Sequence, residues 1–539
     1  MGVVGNHNGF QRMEIMNIIG LSNRLSKKGL AFSAGTLLLI GAICIYWFKF
    51  SSTFNFLIVM GLLLPIGAVV SYAHGAGWLS RPQFAMKMYV VVLTLFSAIF
   101  VFAIPPFASP DEGHHFFSSY WLCDVLMGDA TFDDGADFPV RSDVVDMYRR
   151  SDIAIGSSGF RAVTDSFELL SDTTDIVRVS DFNLSFGSEN VAAKIPSIFG
   201  IALARMLGLG SYPLFYLGRI LSALFFVASA VISVRMAPIA KAVFAGVSLL
   251  PMTLQLAGSY SYDCGIIALG FLFTSVLLRA VLSDRPMGVV ECALLLVLSA
   301  VLAPLKIVYM SALILILFIP QCRFASRRHS LCFKSVAFLL AISSIVAVRI
   351  ASVASLVGAS GGGALDYRGL ESGTFYSVSD FIADPLGTAA LYFRSFDALA
   401  DFYLESMLGS LPGWLQENLR TPDFIMYGYL VCILLVAQKT PSDDRDIPNG
   451  IRIAIIAAFA ITVLGIMTSM ALGWTFNTEY IIDGVQGRYF LPLLPMVLVA
   501  ARSNDIAVKK SPMDICLLVV VMLNIVYILR FAALAFSLP

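Results

Sequence analysis

The sequence predicts an all-α polytopic membrane protein, and three observations carry that reading. Of 539 residues, 58% are apolar and only 13% are charged. The mean hydropathy is +0.82. The apolar residues gather into thirteen runs, many near the roughly 20 residues that a helix needs to cross the hydrocarbon core. This composition excludes a soluble enzyme and a receptor with a single anchor. Lys+Arg and Asp+Glu both number 36, so net charge gives no pointer to nucleic acid, and the information lies in where the charges sit.

The predicted spans are 30 to 48, 54 to 73, 88 to 105, 213 to 234, 242 to 258, 264 to 282, 288 to 303, 307 to 320, 335 to 352, 422 to 438, 453 to 472, 488 to 501 and 512 to 535. With the N-terminus in the cytoplasm, 20 of the 36 basic residues fall in cytoplasmic segments, among them Arg235, Lys241, Arg323, Arg327, Arg328, Lys439 and Arg502. The short outer turns then hold only Lys49, Lys306 and Arg488, as the positive-inside rule requires. The first run has no small-residue cleavage site and leads at once into another, so it reads as an uncleaved span. The domains follow: a cytoplasmic segment 1–29, three spans in 30–105, an outer loop 106–212, spans in 213–352, a second outer loop 353–421, and spans in 422–539.

The first outer loop is acidic, with sixteen carboxylates against five basic side chains between 106 and 190. Its mixed composition predicts a small folded extracytoplasmic element, and loops of this length usually carry function. Its last part, KIPSIFGIALARMLGLG at 194 to 210, has an apolar stripe interrupted by Lys194 and Arg205. It reads as an interfacial helix, because a span there would invert every later loop. In the second outer loop, GASGGGALDYRG at 358 to 369 lacks the Lys-Ser/Thr of a phosphate-binding loop and reads as a lid or linker. The stretch 386 to 420 has helical spacing and should lie against the outer surface. The eight cysteines show no C-x-x-C spacing and read as small apolar residues.

Chemistry concentrates at IPPFASPDEGHHFFSSYW, 104 to 121. Prolines fix the exit of the chain from the third span, and Asp111 and Glu112 follow, with His114 and His115 beside them. A carboxylate at the bilayer edge can take a proton from an acceptor hydroxyl while a lipid-held electrophile approaches in the membrane plane. The plainer alternatives are solvated loop acids, a metal site at the paired histidines, and His115 as a packing residue. Polar groups at the same level are Arg219 at the start of the fourth span, Tyr262 and Asp263 in the turn SYSYDCG, Lys306 in APLKIVY, and Gln486, Arg488 and Tyr489 in DGVQGRYFLPLLP. Cations at an apolar boundary are expensive unless they meet anions, and a phosphodiester suits a bidentate arginine with a lysine as point charge. For Lys306 and Arg219, snorkelling or pairing with Asp263 is the competing reading. Gly484 and Gly487 beside Arg488 suggest close approach of a ligand. Arg349 and Arg530 read as snorkelling helix-end residues, and Pro492 and Pro495 as helix kinks.

The acidic pair after an early span, the interfacial helix opening at Ile195-Pro196 and the Leu217-Gly218-Arg219 span together resemble the GT-C superfamily of integral membrane glycosyltransferases. More narrowly, PxxxxPDEGHHF, LLPMTLQLAGSYSYD, APLKIVY and GVQGRYFLPLLP resemble the DUF2142 family of bacterial membrane proteins, over roughly 88 to 501. The resemblance implies a GT-C-like bundle of about 13 transmembrane helices with two long outer loops carrying interfacial helices. It implies inverting transfer of a sugar from a polyprenyl-phosphate donor to an envelope glycan or lipid acceptor at the outer face of the bacterial inner membrane. Asp111 would be the general base, and Glu112 would position the acceptor or bind a cation. Lys306, Arg488 and Arg219 would hold the donor phosphate, and His114, His115, Tyr262, Asp263, Gln486 and Tyr489 would line the substrate site. No cofactor is required on this reading, a divalent cation near the acidic pair being the one option, and no nucleic acid takes part. The sequence departs from better-studied members in having one proline in the interfacial-helix motif and two extra spans before the acidic pair. The principal alternative is a transporter or flippase of lipid-linked or polar cargo, whose polar residues should line a path to midplane. A third is a noncatalytic scaffold docking through 125 to 190.

Overall fold

In lipid, an apolar stretch can satisfy its backbone only within helices or a closed barrel. The computed structural model, which describes residues 26–48, 54–152, 154–182, 184–358, 374–440 and 445–538, is built of helices. Eight are long and apolar enough to cross a membrane: Lys27–Tyr46, Phe56–Gly75, Pro82–Ala103, Ser211–Met236, Asp263–Leu282, Arg327–Ile350, Asn449–Gly473 and Pro512–Ala535. Three further predicted spans appear as shorter apolar helices, Val289–Leu305, Ile307–Phe318 and Asp423–Val436.

The remaining two predicted spans are broken, which corrects their reading as continuous helices. Residues 242 to 258 divide into Lys241–Ser248 and Pro251–Ala257. Residues 488 to 501 become a 3-10 turn, Gly487–Phe490, and the helix Leu494–Ala500. Proline has no amide to donate and clashes with the preceding turn, so each segment restarts with Pro251 or Pro495 in its first turn. Ile307–Phe318 is a 3-10 helix of 12 residues, far longer than the usual three or four.

The loop 106–212 folds as a small element of its own. Phe107, Phe116, Phe117, Trp121, Phe138 and Phe215 belong to a core separate from that of the bundle. Strands Phe138–Arg141 and Ile176–Val179 pair antiparallel. The helix Val191–Met206 leaves an apolar stripe of Ile195, Phe199, Leu203 and Met206 exposed, as a helix lying in a membrane interface would. Lys194 and Arg205 turn inward instead, to Glu189 and to Asp124 and Asp129. The helix packs along Ser211–Met236 where two glycines meet: a Cβ on Gly200 would lie 2.6 Å from Gly218 Cα. In the second loop, Pro385–Leu408 is one long helix packed against 482–490 through Ser395 and Ser406, which accept from the Ile482 and Gly487 amides. The glycine run at 358 to 369 lies almost wholly outside the described residues.

Candidate functional site

The site begins at a strained turn. After Ile104 the chain cannot stay helical through Pro105 and Pro106, and two non-glycine residues take left-handed backbone, Phe107 at φ 67° and Asp111 at φ 57°. Such conformations cost about 1–3 kcal/mol and persist where surrounding structure imposes them. The Phe107 ring is fixed edge-on against Phe116, Tyr148 and Phe215. Asp111 occupies the N-cap of the helix Glu112–Met127 but makes no capping hydrogen bond. Its carboxylate, which would ordinarily satisfy the first amides of the helix, faces elsewhere.

It faces Arg488. The guanidinium Nη2 lies 3.4 Å from Asp111 Oδ2, and Nε lies 3.4 Å from Asp263 Oδ2. Asp263 Oδ1 in turn accepts from Lys306 Nζ at 3.3 Å. Four charged groups from four distant parts of the sequence thus form one chain: Asp111, Arg488, Asp263, Lys306. Arg488 and Asp263 are 5% exposed, Lys306 20% and Asp111 52%, so the chain runs from the protein interior to its surface. The Lys306 ammonium also sits 3.8 Å from the centre of the Tyr489 ring and 5.1 Å from that of Tyr262, a cation held by π faces. Tyr309 donates to the Tyr489 carbonyl at 2.7 Å.

His115 packs edge-on against Tyr262 with ring centres 4.7 Å apart. Burial, with Lys194 nearby, pushes this imidazole well below its ordinary value of 6.5, so the ring is neutral. His115 Nδ1, Gln486 Oε1 and Arg488 Nε are buried without a hydrogen-bond partner. Unsatisfied buried polar atoms are rare and ask for an explanation, and these three border one cluster. His114 Nε2 pairs with Glu189 at 3.1 Å. Burial alone would raise the Glu189 carboxyl, but His114 and Lys194 hold it well below the usual carboxylate range.

The structure therefore gathers Asp111, Asp263, Lys306, Arg488, Tyr262, Tyr489 and His115, with His114 at the margin and Gln486 two residues before Arg488. It removes two residues from the expected chemistry. Glu112 is fully buried, with its oxygens taken by Arg219 at 2.8 and 2.6 Å and by the Tyr260 amide at 3.0 Å. It cannot meet an acceptor, and the acidic pair does not turn two carboxylates toward one cation. Arg219 spends its remaining donors on the carbonyls of Val101, Ile104 and Pro105, which leaves none for a phosphate. The pair locks the third span, the acidic turn and the helix Ser211–Met236 together. Gly487 also has a different reason from the one expected: a Cβ there would lie 1.7 Å from the Tyr403 carbonyl, so the glycine admits the backbone of helix Pro385–Leu408, not a ligand. Among the described residues no group of three or more His, Cys, Asp or Glu is placed to hold a metal ion.

Sequence reasoning missed Arg349. Far from snorkelling, it donates to the carbonyls of Pro304, Leu305, Gly187 and Ser188 and to Asn190 Oδ1. It ties the backbone before Lys306 to the turn that carries Glu189. A lone arginine late in an apolar run was the available signal, and its spacing alone fits either role. Lys194, buried against Glu189 and Ser118, was hidden in the same way.

A family model described as Predicted membrane protein (DUF2142) matches residues 93–497, a stretch that holds every charged group of the cluster. No curated protein and no solved structure matches the chain.

Proposed function

The chain belongs to the DUF2142 family of predicted membrane proteins, and on that premise we propose that it is a GT-C-type glycosyltransferase using a polyprenyl-phosphate-linked sugar. The observation that carries the reading is the linked chain of Asp111, Arg488, Asp263 and Lys306, with its carboxylate end exposed and its cationic part sheltered. A transporter's polar groups should line a route to the membrane midplane, whereas these collect at one end of the bundle.

In the proposed reaction the donor phosphate enters between Lys306 and Arg488 and competes with Asp263 and Asp111 for them. Asp111, loosened from Arg488, accepts the proton of an acceptor hydroxyl as that oxygen attacks the anomeric carbon from the face opposite the phosphate. The carbon–oxygen bond to phosphate breaks with inversion, and polyprenyl phosphate leaves with its new charge stabilised by Lys306 and Arg488. Tyr262, Tyr489 and Gln486 would contact the sugar, with neutral His115 behind Tyr262. We place this site at the outer face of the cell membrane, with the N-terminus in the cytoplasm, from the distribution of Lys and Arg.

The test is transfer from a radiolabelled polyprenyl-phosphate sugar to membrane acceptors in proteoliposomes. Asp111→Asn should lower turnover by about 100-fold or more with an unchanged melting temperature, and Lys306→Gln should lower kcat/KM by about 100-fold. A fully active Asp111→Asn protein removes the base. Movement of the lipid-linked sugar across the bilayer without acceptor would favour transport.

A further inference from the structure

The bundle end opposite the Asp111 cluster carries a second concentration of positive charge. The helix Pro82–Ala103 leads at its far end into the acidic turn. At its near end, about 30 Å away at 1.5 Å per residue, lies a cavity of about 330 Å³. Arg235, Lys241, Arg502 and Gln438 line it together with the apolar Met86 and Val436. Among the described residues, none that lines it is acidic. Arg502 is engaged within the protein, whereas Arg235 and Lys241 are exposed and make no ion pair among the described residues.

Three helices also begin at this cavity, Pro82–Ala103, Lys241–Ser248 and Pro512–Ala535, with Pro82, Lys241 and Pro512 among its lining residues. Their N-caps, Arg81, Ala240 and Ser511, make no side-chain cap, so amides of three first turns remain for another acceptor, and three positive helix ends add to the field of the cations. Two carboxylates among the described residues at this end are committed elsewhere. Asp514 is held by His74 at 2.6 Å and Ser80 at 3.1 Å. Asp446, which also feels Arg502, is held by Lys439 at 2.6 Å.

We propose that this cavity binds a phosphate group, that of an anionic phospholipid, with the phosphate between Arg235, Lys241 and the helix ends and the first methylenes against the apolar lining residues. Basic pockets between spans are suited to such headgroups, and a lining that joins cations to apolar side chains fits a phosphodiester attached to hydrocarbon better than a free ion. The site is independent of the transferase reading, since none of its residues touches the Asp111 cluster.

The experiment uses the full chain purified in detergent. Native mass spectrometry measures retention of dioleoylphosphatidylglycerol against dioleoylphosphatidylcholine, and melting temperature is followed with inorganic phosphate. Phosphatidylglycerol should be retained in preference. The double variant R235Q/K241Q should lose more than about ten-fold in apparent affinity, from roughly five-fold for each cation. R279Q, a basic residue at the same end but outside the cavity, should change nothing. If the double variant does not fold, R235Q and K241Q singly should each lose several-fold. If phosphatidylglycerol is not preferred but inorganic phosphate raises the melting temperature of the wild type and not of the double variant, the same site holds free phosphate. Equal retention of both lipids by wild type and variants, with no effect of inorganic phosphate, overturns the proposal.

Discussion

Asp111 and Arg488, 377 residues apart in the chain, face each other at 3.4 Å. The aspartate reaches that position only because its own backbone is left-handed, φ 57° and ψ 15°, which swings the carboxylate away from the helix it heads. Arg488 in turn is shared between Asp111 and Asp263, so neither carboxylate holds it alone. In the proposed reaction an incoming anion would displace one of these carboxylates from the arginine.

The strained backbone and the carboxylate can be separated at Asp111. Asp111→Gly relieves the left-handed strain but loosens the unfolded chain by a similar amount, so it should change stability by less than about 1 kcal/mol while abolishing sugar transfer. Asp111→Val should destabilise by about 1–3 kcal/mol, the cost of forcing a β-branched residue to positive φ. Melting temperatures in detergent and the transfer assay read the two effects apart.

The Glu112–Arg219 pair is a fastening, and its loss should show as stability, not as turnover per folded molecule. Breaking a fully buried ion pair costs about 3–5 kcal/mol. Arg219→Met should be worse than Glu112→Gln, because it also strands the carbonyls of Val101, Ile104 and Pro105. Fluorescence-detected size-exclusion chromatography after graded heating should rank wild type above Glu112→Gln and Glu112→Gln above Arg219→Met. The opposite order would contradict this assignment of the carbonyl contacts.

Gly487→Ala should fail to fold or lose more than about 3 kcal/mol, since the new methyl would meet the Tyr403 carbonyl at 1.7 Å and the Met407 amide at 2.6 Å. Gly77→Ala offers a contrast: its φ is +73° but nothing lies within 4 Å. It should cost only backbone strain, about 1 kcal/mol. The comparison of the two melting temperatures tests whether close packing or conformation dominates at Gly487.

Stability should fall as the medium acidifies through the range set by His115. Its folded value lies well below 6.5, chiefly because it is buried and also because Lys194 is near. Below pH 6.5 the unfolded chain therefore binds a proton that the native state refuses. The sign is a loss of stability on lowering pH, at up to about 1.4 kcal/mol per pH unit. Above pH 6.5 both states are neutral and the group contributes no slope. Glu189, held below the carboxylate range, adds stability present above about 4.5 and lost at more acidic pH, so between 6.5 and 4.5 the histidine acts without it. His115→Phe should flatten the melting-temperature profile between pH 6.5 and 4.5, and an unchanged slope there would show that the imidazole is not the source.

Much of the site could be read in the sequence because charge is scarce in an apolar chain. Lys306, Arg488 and Asp263 each stand alone at the end of an apolar run, and a charge in that position is costly without a partner. The broken segments were harder to see, because Pro251 and Pro495 lie inside runs whose hydropathy is that of a continuous span. Glu112 and Asp111 are adjacent and chemically alike, yet one is sealed against Arg219 and the other is half exposed. Nothing in their order along the chain distinguishes them. Arg349 and Lys194 show the same limit, since a long cation late in an apolar run can reach toward water or back to carbonyls with equal ease.

That this is a multi-helix membrane protein whose polar groups of interest collect at one level follows from residue order alone, because burying apolar length in lipid is a local property of each segment. Which carboxylate meets which cation is set by long-range packing. Glu112 joins Arg219, Asp263 joins Lys306 and Arg488, and Asp111 is left at the surface end of the chain of charges. That choice rests on one left-handed residue and on helix contacts between parts of the chain hundreds of residues apart, where a rotation of one position along a helix exchanges the buried partner for the exposed one.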